Sequence, residues 1–113
     1  TVFKTLVARG DKTGFVVFCI PVAEELDLKK AARASKNKSV ELLHVKDLLP
    51  TTGYIRGGCS PVGMKKEFPT YIDETAMLFD AIAVSGGMRG VQLIVNPDQL
   101  LGFVKGEYVD LTA

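Results

Sequence analysis

Residues 2–21, VFKTLVARGDKTGFVVFCIP, decide the architecture. Two runs rich in β-branched and aromatic residues, Val2 to Ala8 and Phe15 to Pro21, flank the punctuation GDKTG, so the stretch predicts two strands joined by a tight turn. An N-terminal hairpin therefore anchors whatever sheet the rest of the chain builds.

Outward from that hairpin, Asp27 is placed to cap a helix running from Leu28 to about Ser35, with Leu28, Ala31, Ala32 and Ser35 spaced to share one face. VELLH is a short apolar run compatible with strand or helix, and VKDLLPTTG reads as a helical turn or two stopped by Pro50 and Gly53. The segment YIRGGCSPVGMKKEFPTYID predicts strand, Gly/Pro-rich loop and strand, and AIAVSGGMRGVQLIV repeats that pattern with a tighter glycine loop. Asn96 followed by Pro97 starts a helix that Gly106 stops, and EYVDL supplies a last short strand. The expectation is a single α+β domain over residues 1–113: six or seven short strands in a mixed, largely antiparallel, barrel-like sheet, with about three short helices.

With 47% hydrophobic and 24% charged residues in 113, the chain has the composition of one globular domain. No apolar run approaches a membrane span and the first residues lack the layout of a secretory signal, so a cytoplasmic protein is expected. The abrupt start in a strand, without an initiator Met, is read as the loss of an N-terminal segment. Two cysteines forty positions apart and a single histidine do not make a conventional zinc site, and no metal or organic cofactor is expected. A formal net charge of +1 excludes the clustered basic surface that non-specific nucleic-acid binding requires. If RNA is the partner, recognition must come from a small shaped site or from another protein.

Three segments carry chemistry. On strand alternation Lys4 shares a face with Val2, Leu6 and Ala8, which places a cation in an apolar stripe. The pattern suits either an edge lysine whose amine snorkels to water or a functional ammonium. Thr5 points to the other face, although its backbone can still line a site. GGCSPVG at 57–63 has the composition of a loop that another molecule approaches closely: Gly57 and Gly58 lack side chains and Pro61 fixes the course of the chain. SGGMRG at 85–90 offers Ser85, Gly86 and Gly87 as donors and Arg89 as a bidentate partner for phosphate or carboxylate. Each loop is also compatible with a plain hairpin turn. His44 is remote in sequence from all three segments and no Gly-x-Ser-x-Gly elbow is present, which argues against a Ser/His/Asp triad. Cys19 reads as core; Cys59 lines the loop, with no histidine placed to activate it.

FKTL at 3–6, PVAEELDLKKAARA at 21–34, TGY at 52–54, GGCSPVGMKK at 57–66, PTYID at 69–73 and SGGMRG at 85–90 together resemble, in order and spacing, the YbaK/EbsC family of small aminoacyl-tRNA deacylases. The resemblance extends over essentially the whole chain and implies the fold of the editing domain associated with prolyl-tRNA synthetases. It implies removal of a mischarged amino acid, above all Cys from tRNA(Pro), with the substrate's own thiol attacking the ester and leaving as a thiolactone. Lys4 then takes the catalytic position, and Thr5, Gly57, Gly58, Ser60, Pro61, Ser85, Gly87 and Arg89 take substrate-binding positions. The expected partners are the acceptor end of an aminoacyl-tRNA and prolyl-tRNA synthetase. Met88 stands where relatives often carry a basic residue, and Cys59 where they commonly carry an aliphatic one. Another amino acid such as alanine, attacked by water, and a non-catalytic accessory module that binds tRNA or a synthetase remain alternatives.

Overall fold

The protein is described by a computed structural model over residues 2–43, 68–85 and 92–113. Its first two strands, β1 (Phe3–Gly10) and β2 (Gly14–Pro21), pair antiparallel from Phe3↔Pro21 to Gly10↔Gly14. Asp11, Lys12 and Thr13 form the turn, which closes on Gly14 at φ +76°, a left-handed conformation that glycine adopts without steric cost. Helix α1 (Leu28–Ala34) follows, capped by the Asp27 carboxylate, which accepts from the N–H groups of Lys29 and Lys30 at 2.9 and 3.0 Å. Ala31, Ala32 and Ser35 are buried as the spacing predicts, but Leu28 is exposed, so the buried face of this short helix is narrower than expected.

The ambiguous run after the helix is a strand, β3 (Val40–Leu42), antiparallel to the end of β1. Strand β4 (Thr70–Asp73) runs parallel to β2, and β7 (Glu107–Val109) parallel to β4, giving a five-stranded sheet in the order β3-β1-β2-β4-β7. A 3-10 turn (Glu74–Leu78) leads to the antiparallel ribbon of β5 (Ile82–Ser85) and β6 (Gln92–Val95). Helix α2 (Pro97–Val104) then begins at Asn96, whose side chain accepts from Gln99 N–H at 3.1 Å. Its end is set by Lys105, at φ 53°, rather than by Gly106, whose N–H bonds back to Leu101 at 2.9 Å.

The α+β class is as expected. The barrel is not: the edge strands β3 and β7 are not bonded to one another, and the described strands form an open mixed sheet and a two-stranded ribbon. The reason lies on the outer edge of β1. Its Ala8–Gly10 end pairs with β3, and its start is bridged in parallel at Val2↔Ala83 to β5, so two strands share one edge and the described strands close no ring. Two α-helices and the 3-10 turn occur among the described residues; the third expected helix, the helical turn in VKDLLPTTG, lies outside them.

Each face of the sheet carries its own core. On one face Ala8, Val16, Phe18 and Ile20 pack against Ala31 and Ala32 of α1 and against Leu111. On the other, Phe3, Cys19 and Ile72 meet Ala76, Ile82, Val84 and Leu100, so the ribbon and α2 are seated by apolar burial. A smaller cluster of Val7 and Val17, with Leu43 and Phe68 against it, continues that second face.

Candidate active site

Lys4 lies on the α1 side of the sheet, directly opposite Ile20 and half-buried. Alternation along β1 puts it with Val2, Leu6 and Ala8, as the sequence indicates. Among the described residues the ion pair found is Lys30–Asp110 at 3.0 Å, and no carboxylate of that set pairs with Lys4. An ammonium that no carboxylate of the described residues engages is available to an incoming anion or polarised carbonyl.

Register brings β5 to the same place. The parallel bridge Val2↔Ala83 brings the start of β1 beside β5, and two residues further along each strand stand Lys4 and Ser85. Ser85 is the last residue of β5 and opens the SGGMRG segment. Thus β1 and the strand that leads into the second glycine loop, bridged between positions 81 apart in the chain, are adjacent in the fold. Ser85 in turn pairs with Gln92 across the ribbon, which returns the chain to the same neighbourhood.

Thr5 faces the opposite core, where its hydroxyl and the Cys19 sulfur are 3.5 Å apart. Its side chain therefore does not share a face with Lys4. Its backbone does sit at the divided edge: Leu43 donates to the Val7 carbonyl at 3.0 Å and Val22 to the Val2 carbonyl at 2.9 Å, which fixes the alternation. By that alternation the main-chain groups of Thr5 point away from β2, into the interval between β3 and β5. Gly57, Gly58, Ser60, Pro61, Gly87 and Arg89 lie outside the described residues, as do His44, Cys59, Lys65 and Lys66. Gln92 was not singled out by the sequence; the signal for it was the symmetry of the AIAVSGGMRGVQLIV hairpin, which makes it the partner of Ser85.

Four further charged groups among the described residues, Asp11, Asp27, Lys30 and Asp73, bond to the scaffold. The Asp27 carboxyl is held below its ordinary range by the N–H of Lys30 first, and the Asp11 carboxyl by the N–H of Ser39 first. The Lys30 ammonium is held above its ordinary value, chiefly by its hydrogen bond to Asp110. Asp73 is buried and accepts from Thr75 N–H at 3.2 Å, Thr75 hydroxyl at 2.5 Å and Leu111 N–H at 2.9 Å, tying the 3-10 turn to the C-terminal segment. Among the described residues no cluster of three His, Cys, Asp or Glu side chains is arranged to hold a metal, and no helix is long and apolar enough to cross a membrane.

Over its whole length the chain is similar to known proteins. A protein of Enterococcus faecalis (strain ATCC 700802 / V583), provisionally named Cys-tRNA(Pro)/Cys-tRNA(Cys) deacylase EbsC, is 58% identical over 111 residues, covering 98% of this chain and 68% of that protein. The crystal structure of a protein described as a candidate trans-editing enzyme for prolyl tRNA synthetase superposes with a TM-score of 0.89 at 28% identity, over 99% of this chain and 70% of that one. A scaffold protein used for computational grafting of linear epitopes gives a TM-score of 0.90, also at 28% identity, over 99% of this chain and 71% of that one. Residues 1–103 match the family described as the aminoacyl-tRNA editing domain, and the chain belongs to that family.

Proposed function

We propose that the protein is a trans-editing deacylase that removes a wrongly attached amino acid from tRNA, above all cysteine from tRNA(Pro). The observation that carries this reading is the 58% identity, over almost the entire chain, to a protein named as a Cys-tRNA(Pro)/Cys-tRNA(Cys) deacylase. An aminoacyl ester is already activated, so a protein that fixes its geometry and stabilises the developing oxyanion has done most of what catalysis needs. In the proposed step the cysteine sulfur attacks its own ester carbonyl, the bond from that carbon to the ribose oxygen breaks, and the thiol proton ends on the departing ribose hydroxyl. The product is a thiolactone, which water opens to cysteine. No nucleophile from the protein is required.

Lys4 supplies the positive charge near the carbonyl oxygen in this scheme. Its half-buried position and the adjacency of β1 to the start of the 85–90 segment support that role. Ser85, Gly87 and Arg89, with Gly57, Gly58, Ser60 and Pro61, complete the pocket, and Thr5 contributes through its main chain. A net charge of +1 suits a protein that borrows tRNA recognition from a partner, and prolyl-tRNA synthetase is the partner favoured by the neighbour described as a trans-editing enzyme for it. Isolated protein should then bind tRNA weakly with a shallow salt dependence.

The test is multiple-turnover deacylation of a panel of charged tRNAs at sub-stoichiometric protein. Cys-tRNA(Pro) should be cleaved with thiolactone as first product, and Ser-tRNA should be cleaved much more slowly than its binding explains, because a hydroxyl is a far weaker nucleophile. Equal cleavage of both without thiolactone would replace the thiol by water and favour an alanine-type specificity. Binding without turnover would make the protein an accessory module.

A further inference from the structure

The strand register reaches beyond the residues already assigned. Gln92 is paired with Ser85 across the β5–β6 ribbon, Ser85 and Lys4 each stand two residues beyond the Val2↔Ala83 bridge, and Lys4 opposes Ile20. These positions form one cross-strand row, Gln92, Ser85, Lys4, Ile20, over β6, β5, β1 and β2. Burial gives an independent check on which face is which. Ile82 and Val84 join Phe3 in the core on the opposite side, and Val95 packs against that same core. The alternate residues of these strands, Val2, Lys4 and Gln92 among them, therefore share the other face. One strand, β5, lies between Gln92 and β1, and the Gln92 side chain is exposed.

An aminoacyl ester brings more than a carbonyl to this row. Its α-amino group is a donor, cationic when protonated, and it must lie within a few ångströms of a carbonyl that Lys4 is to polarise. Lys4 cannot accept a hydrogen bond and repels an ammonium. Asp73, the buried carboxylate of β4, has both oxygens engaged by Thr75 and the Leu111 N–H. The Gln92 carboxamide oxygen is an acceptor on the same face, and being neutral it does not quench Lys4. We propose that Gln92 accepts a hydrogen bond from the α-amino group of the bound aminoacyl ester, so that this residue makes the site select an amino acid over an acid lacking the amine. This inference rests on the deacylase reading and deepens it.

The experiment compares Cys-tRNA with its deaminated counterpart, 3-mercaptopropionyl-tRNA, on wild type, Gln92→Met and Gln92→Glu. The deaminated ester keeps the thiol and the carbonyl, and dividing each rate by the uncatalysed rate of the same ester removes the difference in reactivity that the α-ammonium group causes. Wild type should prefer the amino-bearing substrate in kcat/KM by about tenfold to a hundredfold, the range for a hydrogen bond to a charged group. Gln92→Met, close in shape but without the acceptor, should lose that preference, chiefly by a raised KM for Cys-tRNA; Gln92→Glu, which retains an acceptor, should keep it. Because the residue is exposed, melting temperatures of all three should coincide. Wild-type preference persisting in Gln92→Met, or absent from wild type, overturns the role of Gln92 while leaving the deacylase reading in place. Failure of wild type to cleave either ester overturns both.

Discussion

At the turn end of the β1–β2 hairpin, the Asn37 side chain alone accepts from Lys12 N–H at 2.8 Å and Thr13 N–H at 3.1 Å and donates to the hydroxyls of Thr13 and Ser35 at 3.0 and 2.8 Å. Asp11 adds bonds from Lys38 and Ser39 N–H groups at 2.9 and 3.1 Å. At the other end of the same hairpin, Lys4 has no carboxylate partner among the described residues, and its neighbours in the next row, Val2 and Ile94, are 39% and 71% exposed. One end satisfies its polar groups internally; the other leaves a cation and apolar surface open. The difference separates scaffold from site. Polar satisfaction at the turn makes the register rigid, and that rigidity holds Lys4 at a fixed height against β5, 81 positions away from Ser85 in the chain.

The largest break in this comparison is Lys4→Ala. Removing a preorganised charge from a site that stabilises an oxyanion lowers turnover by about 10- to 1000-fold, whereas a half-buried surface-facing lysine contributes little to folding. Single-turnover rates and thermal melts on the same samples check both halves. An Ala variant with wild-type rates would take Lys4 out of the chemistry.

The opposite pattern is expected at the turn. A Cβ added to Gly10 would lie 2.2 Å from the Asn37 amide nitrogen, and that side chain cannot swing aside without giving up its bonds. Asn37→Ala removes the same bonds directly and strands donors in a half-buried turn, at a cost of about 1–3 kcal/mol. Gly10→Ala should cost a similar amount by displacing Asn37. Denaturant midpoints should fall in both, while turnover per folded molecule stays at the wild-type value. A rate loss in Gly10→Ala as large as in Lys4→Ala would mean that the two ends are not separable.

How much of this was legible beforehand differs between the ends. The hairpin, the Asp27 cap, the Asn96–Pro97 helix start and the last strand follow from local pattern, because turns and caps are decided by the few residues that form them. VELLH could not be assigned because a three-residue strand, Val40–Leu42, owes its existence to the edge of β1 rather than to its own sequence. The open sheet was unreadable for the same reason: nothing in β1 signals that two strands will divide one edge. Lys4 announced itself as a charge in an apolar stripe. Gln92 did not, since a glutamine flanking a glycine loop is unremarkable until the pairing with Ser85 and the bridge to β1 place it in a row with Lys4. The family resemblance supplied the meaning of motifs that composition alone left open between ordinary turns and a pocket.

The smallest effect concerns acid. Asp11 sits at the turn and Asp27 at the start of α1, both outside the row of Lys4; each accepts from two backbone N–H groups, and each carboxyl is held below its ordinary range by those bonds. A carboxyl with a lower pKa in the folded state than in the unfolded chain stabilises the fold above its unfolded value, near 4, and that contribution is lost as pH falls through the folded value. The melting temperature should therefore decline on acidification below about pH 4–5, and part of the decline should belong to these two residues. Asn serves as well as Asp at a helix N-cap and keeps a carbonyl acceptor at both positions, yet does not titrate. The double variant Asp11→Asn, Asp27→Asn should melt within a few degrees of wild type at pH 7 and show a shallower fall between about pH 5 and 2, the solvent at both carboxyls keeping the effect modest. Turnover at pH 7 should be unchanged, because neither residue lies in the row that contains Lys4. Parallel melting curves for variant and wild type across the acid range would show that these N–H bonds do not discriminate between the charged and neutral carboxyl, and the electrostatic half of the contrast between the two ends would fall.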